Sequence, residues 1–273
     1  MKMKNEEMNM TIYQGLGCWR KEWVLRLLMA FLIAQCSLLI SSAAAPLKSQ
    51  ADSAYTQERY QQAVKLYEEL LKQGVSADLY YNLGNSYYRM DNITQAVLNY
   101  ERALLLSPGD KDIRFNLQMA RSKTIDKITP ESEMFFVTWY RSLVNLQSVD
   151  AWARLALIAL VAAIILALAY LFADAVWLRK VGFFGGTFFV LVFLVSNLFA
   201  WQQKRGLDQR TGAIVIKSAV NVKSTPSKNG TDLFILHEGT KVTITDNSMK
   251  EWKEIRVGDG KEGWLQTSDV EVI

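Results

Sequence analysis

The side chains able to carry catalysis are few and scattered. His237 is the only histidine, and Cys18 and Cys36 are the only cysteines. Both cysteines lie in or before the first apolar run, so the rest of the chain can build no disulfide framework, zinc cluster or thiol nucleophile. His237 stands in a stretch of alternating apolar and polar residues, where a satisfied strand residue is the ordinary expectation. Glu68 and Glu69 form an adjacent carboxylate pair, but helical spacing around them makes them the solvated face of a helix. No nucleophile elbow or glycine-rich phosphate loop is present. The formal charge of +4 is not gathered into a basic stripe, which argues against nucleic acid as a partner. These residues predict a binding protein rather than an enzyme, with no cofactor and no metal.

The elements that must do the binding begin at Ala77. Tyr80, Leu83, Gly84, Tyr87, Ala96, Tyr100, Ala103 and Pro108 follow it at the spacing of a tetratricopeptide repeat, which the stretch from Ala77 to Pro108 resembles. Small residues at Gly84 and Ala96 are expected where two antiparallel helices cross closely. Ala63, Tyr67 and Leu70 repeat the second half of the pattern one repeat earlier, behind a polar first helix of roughly Leu47 to Gln57. Ile113, Leu117, Ala120 and Ile125 form the apolar stripe of a closing helix that begins near Pro108 to Asp110. The repeat domain is placed at residues 46–128. The resemblance implies a concave groove lined by Tyr81, Asn82, Asn85, Tyr88 and Arg89, joined by Asn116 and Lys123 from a following helix. Carboxamides in such a groove can fix an extended backbone.

Three apolar runs surround or follow the repeats. Trp23 to Ile40 follows Arg20, Lys21 and Arg26 and ends in small residues, so residues 1–45 read as a signal peptide or an N-terminal anchor. Leu155 to Phe172 and Val181 to Trp201 each approach the roughly 20 apolar residues that span a bilayer. Joined by Ala173 to Lys180, they predict a transmembrane hairpin within residues 151–202, with the segments on either side in one compartment. Before it, residues 129–150 hold a juxtamembrane helix that Thr129-Pro130-Glu131 is suited to start. Its Phe135, Phe136, Trp139, Tyr140, Leu143 and Val144 either lie at the membrane interface or pack on the last repeat helix.

From Gly212 the period changes to two, with Ile214 and Ile216, Val220 and Val222, Val242 and Ile244, Ile255 and Val257, and Val270 and Val272 pointing to one core. Asn221-Val222-Lys223-Ser224-Thr225-Pro226-Ser227, Glu238-Gly239-Thr240 and Gly263-Trp264-Leu265 resemble a bacterial SH3 domain, placed at residues 212–273. Trp252 and Trp264 are candidates for an aromatic groove that takes a peptide or glycopeptide, the alternative being that Trp264 is barrel core.

The expected fold class is therefore a multidomain membrane protein: an all-α tetratricopeptide repeat array, a two-helix transmembrane hairpin and an all-β SH3-like barrel. With the hairpin between them, the two soluble cores are expected to be independent. This order of parts resembles the BatE-type proteins of aerotolerance operons. That resemblance implies an inner (cytoplasmic) membrane protein with repeats and barrel on the periplasmic side. It also implies action beside von Willebrand A-type membrane proteins and a MoxR-type ATPase in oxidative-stress tolerance. Two functions follow: a scaffold whose repeats hold a protein partner, or an envelope sensor or anchor whose barrel binds cell-wall glycopeptide.

Overall fold

The computed structural model describes residues 45–273, and the signal or anchor read in residues 1–45 lies almost wholly outside them. Five helices build the repeat region: α1 (Ala45–Thr56), α2 (Tyr60–Gln73), α3 (Ala77–Arg89), α4 (Ile93–Leu106) and α5 (Lys111–Ser122). Side-chain caps set three of the starts. Ser76 accepts the Leu79 N–H, Asn92 accepts that of Gln95, and Asp110 accepts those of Asp112 and Ile113. At Gly84 an added Cβ would stand 2.8 Å from ring carbons of Tyr100, so only hydrogen fits where α3 crosses α4. The first helix pair repeats this construction. Tyr67 donates to Asp52 Oδ1 at 2.7 Å, as Tyr100 does to Asn85 Oδ1 at 2.7 Å, one repeat apart. On α5, Ile113, Leu117 and Ala120 are buried, whereas Ile125 falls beyond the helix and is exposed.

Residues 129–134 are not helical, although Thr129-Pro130-Glu131 has the composition of a helix start. The reason is a competing surface. Ile128 packs on the barrel core and the Glu131 N–H donates to the Gly258 carbonyl at 2.9 Å, which holds the segment extended across the barrel. Helix α6 then occupies Phe135–Val144, followed by α7 (Val149–Phe172) and α8 (Val176–Gln209). The last two are long and apolar enough to cross a membrane. They pack closely where Gly182 meets Leu166 and Tyr170 and Gly186 meets Leu166 and Ala163, and Ala156, Ala159 and Ser196 are buried further along the two helices. A Cβ at Gly182 would lie 2.7 Å from the Leu166 carbonyl oxygen, so the glycine lets the two backbones approach. The connection shrinks to residues 173–175, shorter than the apolar runs suggest, because helical structure continues through the polar Arg179 and Lys180.

Only Arg210 and Thr211 separate α8 from β1 (Gly212–Val215). The strands β2 (Ala219–Lys223), β3 (Asp232–His237), β4 (Lys241–Asp246), β5 (Trp252–Val257), β6 (Glu262–Gln266) and β7 (Val270–Val272) complete an antiparallel sheet of order β3-β2-β6-β5-β4-β1-β7. Alternation places Val220, Val222, Val242, Ile244, Ile255, Val257 and Val270 in its core. The strand β1 departs from the expected register. Ala213 and Val215 take the core positions, and Ile214 turns the other way into the repeats, where it is fully buried with Val97, Leu98, Leu117 and Ala120.

The two soluble cores are thus not independent. Helix α4 is buried at Thr94, at residues 96–101 and at Ala103, because α3 and α5 cover one side and the barrel covers another. Glu101, 3% exposed, lies between Arg121 of α5 and Lys241 of β4, with Lys241 Nζ at 2.7 Å. Two cations on one buried carboxylate supply the partners that such a charge requires. Arg102 adds bonds to Glu271 at 2.9 Å and to the Val272 carbonyl at 2.7 Å. With so short a tether from α8, the barrel is held within reach of α4.

Candidate partner-binding site

The helices α1, α3 and α5 carry one wall of the repeat region, and between them lies a hollow of about 390 Å³. Its lining joins Tyr81, Asn85, Tyr88, Arg89 and Asn116 with Tyr55, Tyr100 and Met119. Five of the seven residues named from sequence therefore meet. Asn82 does not line the hollow, and its backbone carbonyl accepts the Ser86 hydroxyl. Lys123 stands at the rim, its Nζ 4.5 Å from the Tyr88 ring centre and 3.4 Å from Asp91 Oδ1.

A hydrogen-bonded network floors the hollow. Asn116 Nδ2 donates to the Tyr81 hydroxyl and to Asn85 Oδ1, both at 2.9 Å, and Asn85 Oδ1 also accepts from Tyr100. Both lone pairs of Asn85 Oδ1 are then engaged, which aims its Nδ2 donors, and the Asn116 acceptor, at whatever enters. Burial pushes the Tyr81 and Tyr100 hydroxyls above their ordinary range, so they remain neutral donors. Arg89 is exposed beside the Tyr55 hydroxyl and supplies a fixed positive charge at one end. A donor, an acceptor and a cation against tyrosine faces suit a polypeptide segment, and nothing in the arrangement activates a nucleophile.

Sequence reasoning missed Tyr55. Its signal was the repeat itself, since Tyr55 precedes Tyr88 by the same interval that separates Tyr67 from Tyr100. The barrel docks on α4, leaving this hollow open.

The barrel's Trp252 and Trp264 are both half-buried. Pairing of Trp252 with Gln266 and of Glu254 with Trp264 makes them diagonal neighbours on one face. That face is the outer one, because Lys253, Ile255 and Leu265 point inward, so Trp264 is not in the core cluster.

His237 closes β3 as a satisfied residue of the contact between domains. Asp126 accepts its backbone N–H at 2.7 Å, sits 2.8 Å from its Nδ1, and accepts the Thr240 hydroxyl at 2.6 Å. Burial pushes the Asp126 carboxyl up, but these bonds outweigh it and hold the group below its ordinary value of 3.8. A carboxyl with a depressed folded value stabilises the fold above that ordinary value, and the contribution is lost as pH falls through the folded value. Melting temperature should therefore drop more steeply below about pH 4 in the wild type than in Asp126→Asn. Parallel curves for the two proteins would show that Asp126 contributes nothing to the contact.

Two families meet this geometry. The tetratricopeptide repeat model matches residues 77–110, and the bacterial SH3 domain model matches residues 218–271. No curated protein matches the chain. Both are binding modules without catalytic chemistry of their own, and the repeats imply protein partners.

Proposed function

We propose that this chain is a non-enzymatic, membrane-anchored scaffold that holds a protein partner in the repeat hollow. The observation that carries the reading is the convergence of Asn85, Asn116, Arg89 and Tyr88, from two helices, on one open hollow that the barrel leaves free. Anchoring rests on α7 and α8. At about 1.5 Å per residue, the 24 residues of α7 reach about 36 Å, enough for a hydrocarbon core of about 30 Å. The short connection between the helices, with the direct contact of repeats and barrel, supports one side of the membrane for both, and the export-like start of the sequence supports the periplasm as that side. The order of parts, which resembles BatE-type aerotolerance proteins, supports a place in an oxidative-stress complex with von Willebrand A-type membrane proteins and, indirectly, a MoxR-type ATPase.

The test is Asn85→Ala combined with Arg89→Ala in the full chain. Partner recovery from detergent-solubilised membranes should fall at least tenfold while helical circular dichroism is unchanged, since two hydrogen-bonding groups worth about 1 kcal/mol or more each are removed. Undiminished recovery would contradict the reading. The second reading, an envelope sensor or anchor that binds cell-wall glycopeptide, draws on the outward position of Trp252 and Trp264.

A further inference from the structure

The geometry points to α6 as a second membrane contact, an interfacial helix that sinks Phe135, Phe136 and Trp139 into the headgroup and acyl boundary of the bilayer. This rests on the reading of α7 and α8 as a spanning hairpin. Phe135 is 84% exposed, Trp139 65% and Phe136 52%, a cluster of apolar area that water covers poorly. At 100° per residue these three fall within one arc of about 100° on α6, and Thr138 and Arg141 fall outside it, with Arg141 held at 2.8 Å by Glu133.

The occupant follows from continuity with the hairpin. Tyr140, next to the exposed cluster, packs edge-on against Phe199 with ring centres 6.1 Å apart, and Trp152 meets the same ring at 5.1 Å. The Val144 carbonyl accepts from the Trp152 indole at 2.9 Å and from Gln203 at 2.7 Å. Trp152 and Phe199 stand at the end of the apolar stretch where α7 starts and α8 turns polar, and that level is the membrane–water boundary. The helix is therefore pinned at headgroup depth, with its aromatic side unpartnered among the described residues. A lipid surface is what adjoins it there. Such a contact fixes the height and tilt of the repeat region over the bilayer, more firmly than the hairpin alone does.

The test uses full-length protein reconstituted in phosphatidylcholine and phosphatidylglycerol vesicles, with Cys18 and Cys36 replaced by Ser. Single cysteines introduced at Phe136, Trp139, Thr138 or Phe188 carry an environment-sensitive fluorophore. Labels at 136 and 139 should be quenched by lipids brominated near the headgroup and lose quenching by aqueous iodide. The label at 138 should show the reverse. Strong iodide quenching at 136 and 139 would overturn the proposal, and so would shielding from both quenchers, which would mean that a second copy covers the face. The label at 188, midway along the apolar part of α8, reads the hairpin separately. If it is quenched by deeply brominated lipid while 136 and 139 face water, only the interfacial helix fails. Absence of lipid quenching at 188 would instead remove the hairpin reading.

Discussion

Replacing Ile214 by Asp is expected to loosen the repeats together with the barrel, although Ile214 belongs to the barrel's first strand. Its side chain is fully buried against Val97, Leu98, Leu117 and Ala120, all of the repeat region. Truncating such a residue to Ala costs about 2–5 kcal/mol, and a carboxylate without a partner in the same apolar site costs more. Most of a small domain's stability would be consumed. Hydrogen exchange of the full-length protein in detergent should show lost protection in α4 and in β1 alike. Faster exchange confined to the barrel would mean that the two cores melt independently. Deleting the barrel outright is for the same reason a poor test of its ligand-binding role, because the deletion also exposes the apolar side of α4.

Gly84→Leu should have the second largest effect. A Cβ alone would already press on the Tyr100 ring at 2.8 Å, and the remaining carbons must displace it. Overpacking of this kind costs roughly 1–3 kcal/mol, with the loss of the Tyr100 to Asn85 hydrogen bond added. Tyr100 floors the hollow on one side and belongs to the cluster that holds Ile214 on the other. The variant should therefore lose partner recovery and also weaken docking of the barrel, seen as faster exchange at β1. Wild-type recovery from a variant whose repeats have melted would remove the repeats as the working element.

The central repeat was legible because each of its positions has a steric reason. Gly84 and Ala96 must be small at a crossing, and Pro108 cannot continue α4. The strands were legible wherever one face is buried and the other wet, as at Val242 and Ile244. Strand β1 failed that rule. It is apolar on both faces because each face has a core to fill, and a period of two cannot say which residue serves which core. The same blindness hid Glu101, whose charge looks solvated on a helix until Lys241, 140 positions away, is brought beside it. Long-range pairing leaves no local spacing to read. Thr129-Pro130-Glu131 misled in the opposite sense, since its local preference for starting a helix lost to a backbone bond and an apolar contact made across the barrel. Of the groove, the residues on α3 and α5 followed from the repeat register, but Tyr55 required recognising that the degenerate first repeat presents the same face.

The central claim is that the repeat hollow, and not the barrel's outer face, is the working end. The most direct measurement compares two full-length variants purified from membranes under identical conditions, Asn85→Ala with Arg89→Ala and Trp252→Ala with Trp264→Ala. Each is scored for co-purifying protein and for bound cell-wall fragments, after circular dichroism has shown both to be folded. The scaffold account predicts that the first pair loses the protein partner while the second retains it. Retention by the first pair, with wall fragments bound to the wild type and lost only from the tryptophan variant, would contradict it.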